Sequence, residues 1–196
     1  MKRICAWTLL LLVFAAPAAL AGEWTGNANL LLGAKAMEED DWEPLEEQAE
    51  VAIRLDFREK AWPVNLSLDL VGTRAEEDAF YAIPGFGTAW ADIEATTSEW
   101  NLGVRKIWEG FHLVRPYVNG GLAIIHAEVE VSTLGVSVDR DDTGVGYFLG
   151  GGVYWTLAEH FNLGLDLRYS WAEVGWDGFE GNGGGSHAGL LVGYHW

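Results

Sequence analysis

The chain has 196 residues, with 29 acidic against 12 basic side chains for a formal net charge of −17, 25 glycines and 11 tryptophans. That balance excludes nucleic acid as a partner, because binding phosphates takes clustered Lys and Arg. The single cysteine, Cys5, excludes a disulfide framework. Beyond residue 21 no apolar run has the length of a transmembrane helix, so any span there needs strands.

At the start, Lys2 and Arg3 precede an apolar run over residues 4–16, and Ala19-Leu20-Ala21 offers a small-x-small cleavage site. This pattern predicts a cleaved signal peptide over residues 1–21 and hence export, with one mature domain over 22–196. Cys5 lies inside the leader and not at a lipidation position. Without Lys2 and Arg3 the mature chain keeps ten basic residues and a net charge of −19.

Period-2 alternation dominates the mature chain. Residues 161–171 place Phe161, Leu163, Leu165, Leu167, Tyr169 and Trp171 on one face, with Asn162, Gly164, Asp166, Arg168 and Ser170 on the other. Similar alternation marks residues 49–58 and 64–71. Weaker versions mark 24–37, 93–107, 113–131 and 143–156, and the terminal run 188–196 completes eight strands. The connections alternate between short (59–62, 108–112, 157–160) and long (38–47, 75–92, 132–142, 175–184). Short turns at one end and long loops at the other predict an all-β, eight-stranded antiparallel up-and-down barrel spanning an outer membrane, with periplasmic turns and extracellular loops.

The aromatic residues sort with that layout. Trp24, Trp62, Trp108, Trp155 and Trp196, with Phe57, Phe111 and Phe161, fall at the short-turn end. Trp42, Trp90, Trp171 and Trp176, with Phe80, Tyr81 and Phe86, fall at the long-loop end. Two such belts are expected where aromatic rings settle at lipid–water interfaces. A soluble ligand-binding barrel would turn the apolar face inward and leave a glycine-rich, lysine-poor face to water. Lipid outside is the better assignment. Arg54, Asp56, Arg58, Asp69, Arg105, Asp166 and Arg168 then form a lumenal charge network, and inward Gly146, Gly150, Gly152, Gly189 and Gly193 leave room for the arginines.

The signal peptide, the strand Arg115-Pro116-Tyr117-Val118-Asn119-Gly120-Gly121-Leu122 and the terminal Gly193-Tyr194-His195-Trp196 resemble the small eight-stranded outer-membrane barrels, the OmpA transmembrane domain and the OmpX-like family. The resemblance implies residence in the cell outer membrane among phospholipid and lipopolysaccharide. It also implies that the assembly machinery reads the closing strand, with Tyr194 and Trp196 as the signal. The peptidoglycan-binding domain of full-length OmpA proteins is not expected after Trp196.

Chemistry is harder to find. An eight-stranded barrel is just wide enough for its own side chains, which disfavours a diffusion pore. His126, Glu128 and Ser132 share outward parity near the long-loop end and could in principle serve a lipid A-modifying enzyme, but the deacylase pattern His-x-Ser is replaced by His126-Ala127-Glu128. His187 and His195 lie too far apart on one strand to share an ion, and the run 139–144 lacks the distal glutamate of a calcium loop. No cofactor is expected beyond loosely bound Ca²⁺ or Mg²⁺ at acidic loops, with Glu38, Glu39, Asp40 and Asp41 as candidate ligands and Glu76-Glu77-Asp78 adding charge at the next loop. The sequence thus predicts a non-enzymatic barrel that supports envelope integrity or surface interaction through acidic, aromatic loops. A narrow channel or transporter for small, even hydrophobic, solutes is the alternative, and a lipid A-modifying enzyme a distant third.

Overall fold

The computed structural model describes residues 24–38, 42–83, 87–109, 113–133, 136–176 and 179–196; the expected leader lies outside them. Ten strands succeed one another: β1 (Trp24–Ala36), β2 (Glu47–Glu59), β3 (Asn65–Ile83), β4 (Gly87–Ile107), β5 (Val114–Thr133), β6 (Val136–Leu157), β7 (Phe161–Trp171), β8 (Glu173–Trp176), β9 (Phe179–Asn182) and β10 (Gly185–His195). Eight close into an antiparallel barrel in the order β1-β10-β7-β6-β5-β4-β3-β2, while β8 and β9 form a separate hairpin. The seam between the first and last strands pairs Asn27 with His195 and Ala36 with Ser186. The amide of Gly26 donates to the Trp196 carbonyl at 3.2 Å, and that of Trp196 to the Gly26 carbonyl at 3.1 Å. Closure leaves no edge in the wall, so the backbone satisfies itself within the hydrocarbon.

Alternation decides which side faces lipid. Leu32, Leu102, Leu122, Leu149, Leu167 and Leu190 point outward and are exposed, while Asn29, Arg54, Asp69, Asn101, Arg105 and Asp166 point inward and are buried. The inward glycines make room, though for different groups than the arginines. A Cβ on Gly152 would lie 2.6 Å from the Tyr117 hydroxyl, and one on Gly189 2.7 Å from Leu31 Cδ2. Tyr117 thereby lies over Gly152 and stacks on Tyr154 of the same neighbouring strand, with ring centroids 4.5 Å apart.

Four strands are about twice as long as a span requires. A membrane strand needs about 9–11 residues, whereas β3 to β6 have 19, 21, 20 and 22. The segments expected as loops at 75–92 and 132–142 are therefore largely extended hairpins, continuing the ladder to Ile83↔Gly87 and Thr133↔Val136. The run 139–144 lies within β6 and forms no calcium loop. The cause is a second alternation. Above the membrane the outward residues become carboxylates, while inward Ile93, Ala95 and Ala127 stay apolar and pack with Met37, Trp42, Leu45 and Val174. That cluster is a lid on the lumen. At the opposite end, the β6–β7 turn holds Ala158 and Glu159 at φ 48° and 67°, a left-handed pair more usually given to Asn-Gly.

Candidate functional site

The lumen is filled by charge. Asp69 is its hub: it pairs with Arg105 at 3.2 Å, with Arg54 at 3.9 Å and with Arg168. Arg54 also reaches Asp166 at 2.8 Å and Glu50 at 3.6 Å, and Arg105 reaches Asp56 at 2.7 Å. Tyr117 donates to Asp166, and Arg105 donates to the Tyr154 hydroxyl at 3.0 Å. Six of the seven residues assigned to this network from the sequence thus lie in one buried cluster. Arg58 does not. It sits one inward step below Asp56, past the Arg105 layer, and bonds to Glu109 at 2.9 Å and the Trp62 carbonyl at 2.9 Å in the periplasmic mouth.

A second polar layer, missed from the sequence, lies above the hub. Lys35 Nζ donates to Thr97 Oγ1 at 3.0 Å, Glu99 Oε1 at 2.8 Å and the Gly183 carbonyl at 2.8 Å. His187 Nδ1 lies 2.7 Å from Glu50 Oε2, and its Nε2 lies 2.9 Å from Ser170 Oγ and 3.5 Å from Glu99 Oε1. Strand parity could have found all of them, since Lys35, Glu50, Glu99, Ser170 and His187 share the inward face of their strands with residues already assigned. The buried tally is five cations (Lys35, Arg54, Arg105, Arg115, Arg168) against five carboxylates (Glu50, Asp56, Asp69, Glu99, Asp166). Buried ion pairs add little net stability but are costly to break, so this network holds one packing of the lumen against others.

Ser170, His187 and Glu50 have the connectivity of a hydrolytic triad, yet all three are buried beneath the lid. Ser170 also donates to Glu99 Oε1 at 3.2 Å, which diverts its proton from the histidine. The outward trio does not assemble. His126 bonds to Thr143 at 3.0 Å and Ser132 to Ser137 at 2.8 Å. His126 and Ser132 are six residues apart on β5, about 20 Å along the strand.

Of the belt residues, Trp62, Trp108 and Trp155 are exposed at the short-turn end, and Trp24 packs on Trp62 at 5.5 Å and Phe57 at 6.0 Å. Trp171 stacks on Tyr147 at 5.5 Å at the other end, where exposed Trp100 adds a ring that strand-end position alone does not assign to the belt. Trp100 to Trp108 and Tyr147 to Trp155 each span eight residues, about 26 Å along a strand, close to the apolar band of such barrels. Trp42 is not in the belt. It is buried in the lid, its Nε1 donating to the Asn182 carbonyl at 2.8 Å, because the first loop folds back over the lumen. Phe86 and Phe111 and the side chains of Phe80, Tyr81, Trp90 and Trp176 lie outside the described part. Tyr194 stacks on His160 at 5.2 Å, and the ring of Trp196 lies over Gly26.

The acidic groups gather on the protruding sheet. Glu76 pairs across the ladder with Glu94, Glu94 with Glu130, and Glu130 with Asp139, giving four carboxylates in one row over β3 to β6. Glu128 faces Asp141 in the row below. Arg74 answers part of this charge, with Glu94 at 2.9 Å and Glu76 beside it. Among the described residues no group of three or more His, Cys, Asp or Glu side chains is placed to hold a metal ion. Glu38 is exposed, and Glu39, Asp40 and Asp41 lie outside the described residues.

Asp142 ties the β8–β9 hairpin to this sheet. Its Oδ2 accepts the Gly175 amide at 2.7 Å, and that hydrogen bond holds the carboxyl below the usual aspartate range. A lowered folded value means the tie is complete above the ordinary value of about 3.9 and is lost as pH falls through the lowered one. The Gly175 amide resonance should titrate with a midpoint below that of free aspartate, and Asp142→Ala should remove the titration. A midpoint at or above the ordinary value would refute the tie.

The fold is shared with solved outer-membrane proteins. Ail, the attachment invasion locus protein of Yersinia pestis, in complex with the heparin analogue sucrose octasulfate, matches with a TM-score of 0.63 at 13% identity, over 89% of this chain and 100% of that one. A major outer membrane protein from Thermus thermophilus matches with a TM-score of 0.56 at 12% identity, over 89% and 100%. No curated protein matches the sequence. The sequence profile of the outer membrane protein beta-barrel domain covers residues 6–196. With its apolar wall, charged lumen and closed eight-stranded barrel, this chain belongs to that family as a protein of the outer membrane.

Proposed function

We propose that the protein is a non-enzymatic surface-interaction barrel whose β3–β6 extension presents an acidic face to a basic partner. The row Glu76, Glu94, Glu130 and Asp139 carries the proposal. Like charges directly opposite one another on a sheet are unfavourable, so the free protein bears a repulsion that a cationic partner would relieve. A depression of about 320 Å³ bordered by Glu76, Asp92, Glu94 and Glu130 is large enough for a Lys or Arg side chain. The ligand in the Ail complex, sucrose octasulfate, is a polyanion. A face of this sign would repel it, so that binding chemistry does not transfer.

Oligolysine titrated onto the protein in phosphocholine nanodiscs tests this reading. Affinity should fall steeply with salt and drop at least about tenfold when Glu76, Glu94, Glu130 and Asp139 become the amides, because four charges act together. Equal affinity in the variant would refute it. Ca²⁺ or Mg²⁺ shared with lipopolysaccharide phosphates is the competing occupant, and it predicts that calcium, not oligolysine, discriminates the two proteins. The channel reading finds less support, since Arg54, Arg105, Tyr117 and Tyr154 fill the lumen. We assign Tyr194 and Trp196 to assembly on the closing strand; their removal should slow insertion without changing oligolysine binding.

A further inference from the structure

The ten basic residues of the mature chain are unevenly placed. Lys35, Arg54, Arg105 and Arg168 are in the lumen and Arg74 and Arg140 on the extracellular extension, leaving Arg58, Lys60, Lys106 and Arg115 at the periplasmic end. Glu59, Glu109 and Glu159 share that end, so it is near charge balance in a chain of net charge −17. Three of the cations, Arg58, Lys60 and Arg115, line a mouth cavity of about 670 Å³ together with Glu109, Glu159 and His195.

Two arginines aim at a single point in it. Arg58 Nη2 lies 2.9 Å and Arg115 Nη2 3.4 Å from the same oxygen, Glu109 Oε1. Each guanidinium is held from behind. Arg58 Nη1 donates to the Trp62 carbonyl at 2.9 Å, and Arg115 Nη1 to Thr156 Oγ1 at 3.2 Å, whose hydroxyl donates to Asn162 at 2.9 Å. Arg115 is buried, whereas the Glu109 side chain is half exposed. The fixed partners are thus the cations, and the carboxylate between them is the part that can leave. Guanidinium groups held in this way are suited to carboxylate or phosphate.

We infer that the periplasmic mouth binds a soluble anion bearing carboxylate or phosphate groups, seated between Arg58, Arg115 and Lys60, and that Glu109 occupies the seat when the ligand is absent. Arg115 and Thr156 project inside the wall, so the headgroups of surrounding lipid do not reach this point. The site is independent of the acidic extension at the opposite end of the barrel.

Calorimetric titration of citrate, and separately of inorganic phosphate, into the full protein in phosphocholine nanodiscs tests the inference. Glu109→Gln should tighten binding about tenfold by vacating the seat, a change of the size expected for a hydrogen bond to a charged group. Lys60→Ala should weaken binding several-fold, and Arg115→Gln in the Glu109→Gln background should abolish it. Lys60→Ala also provides a readout should the buried Arg115 variant misfold. Absence of saturable binding to Glu109→Gln, or affinities unmoved by Lys60→Ala and Arg115→Gln, would overturn the site. Competition by anionic lipid in the disc would overturn its assignment to a soluble ligand.

Discussion

Asp69→Ala should lower the unfolding free energy of the barrel by about 3–5 kcal/mol, the cost of stripping one partner from a buried ion cluster. Asp69 is fully buried and faces Arg54, Arg105 and Arg168, with only Asp56, Asp166 and Glu50 left to answer them. Water cannot reach the three guanidiniums, and Arg168, whose ion pair is with Asp69, loses its carboxylate while staying buried. Urea unfolding of the protein in lipid vesicles, followed by tryptophan fluorescence, measures the loss. Glu76→Ala is the control, because an exposed pair contributes about 0–1 kcal/mol. A loss below about 1 kcal/mol for Asp69→Ala would mean that water already solvates the hub.

Trp42→Ala should open the extracellular end while leaving the barrel wall intact. Truncating a buried tryptophan costs about 3–5 kcal/mol, and here the cost is local. Trp42 packs with Met37, Leu45, Ile93 and Val174, and its indole bonds to the Asn182 carbonyl, so one side chain joins the first loop to the fourth. The ladder from β1 to β10 does not pass through it. Cys5 is the sole cysteine and falls in the expected leader, so Thr97→Cys beneath the lid, in a Cys5→Ser background, is a clean reporter. A membrane-impermeant maleimide should label it rapidly in the Trp42→Ala background and slowly with Trp42 present. Equal labelling in both would show that Trp42 does not seal the lumen.

Within the membrane the architecture is written plainly in the sequence, because lipid and lumen impose opposite demands on alternate residues. Residues 161–171 coincide with β7, and inward and outward sets fall as parity assigns them. Above the membrane the rule changes. Glu76, Glu77 and Asp78, like Asp139, Asp141 and Asp142, are residue types depleted in strands, so 75–92 and 132–142 read as loops. What the inward residues pack against, the first-loop lid, is remote in sequence. The same remoteness hid Trp42, whose place in a loop beside acidic residues says nothing of the Asn182 carbonyl 140 positions away. Arg58 differs from Arg54 and Asp56 only in depth. Parity gives the face a side chain occupies, whereas height along the barrel depends on the register of neighbouring strands. The carboxylate row has the same origin, since no local pattern aligns Glu76, Glu94, Glu130 and Asp139.

The two ends of the lumen are unlike, with an apolar lid over Lys35 and Glu99 and an open mouth at Arg58 and Arg115. An anion seated in the mouth as proposed would leave by the door it came through, so its occupancy is expected to track the concentration on the periplasmic side alone.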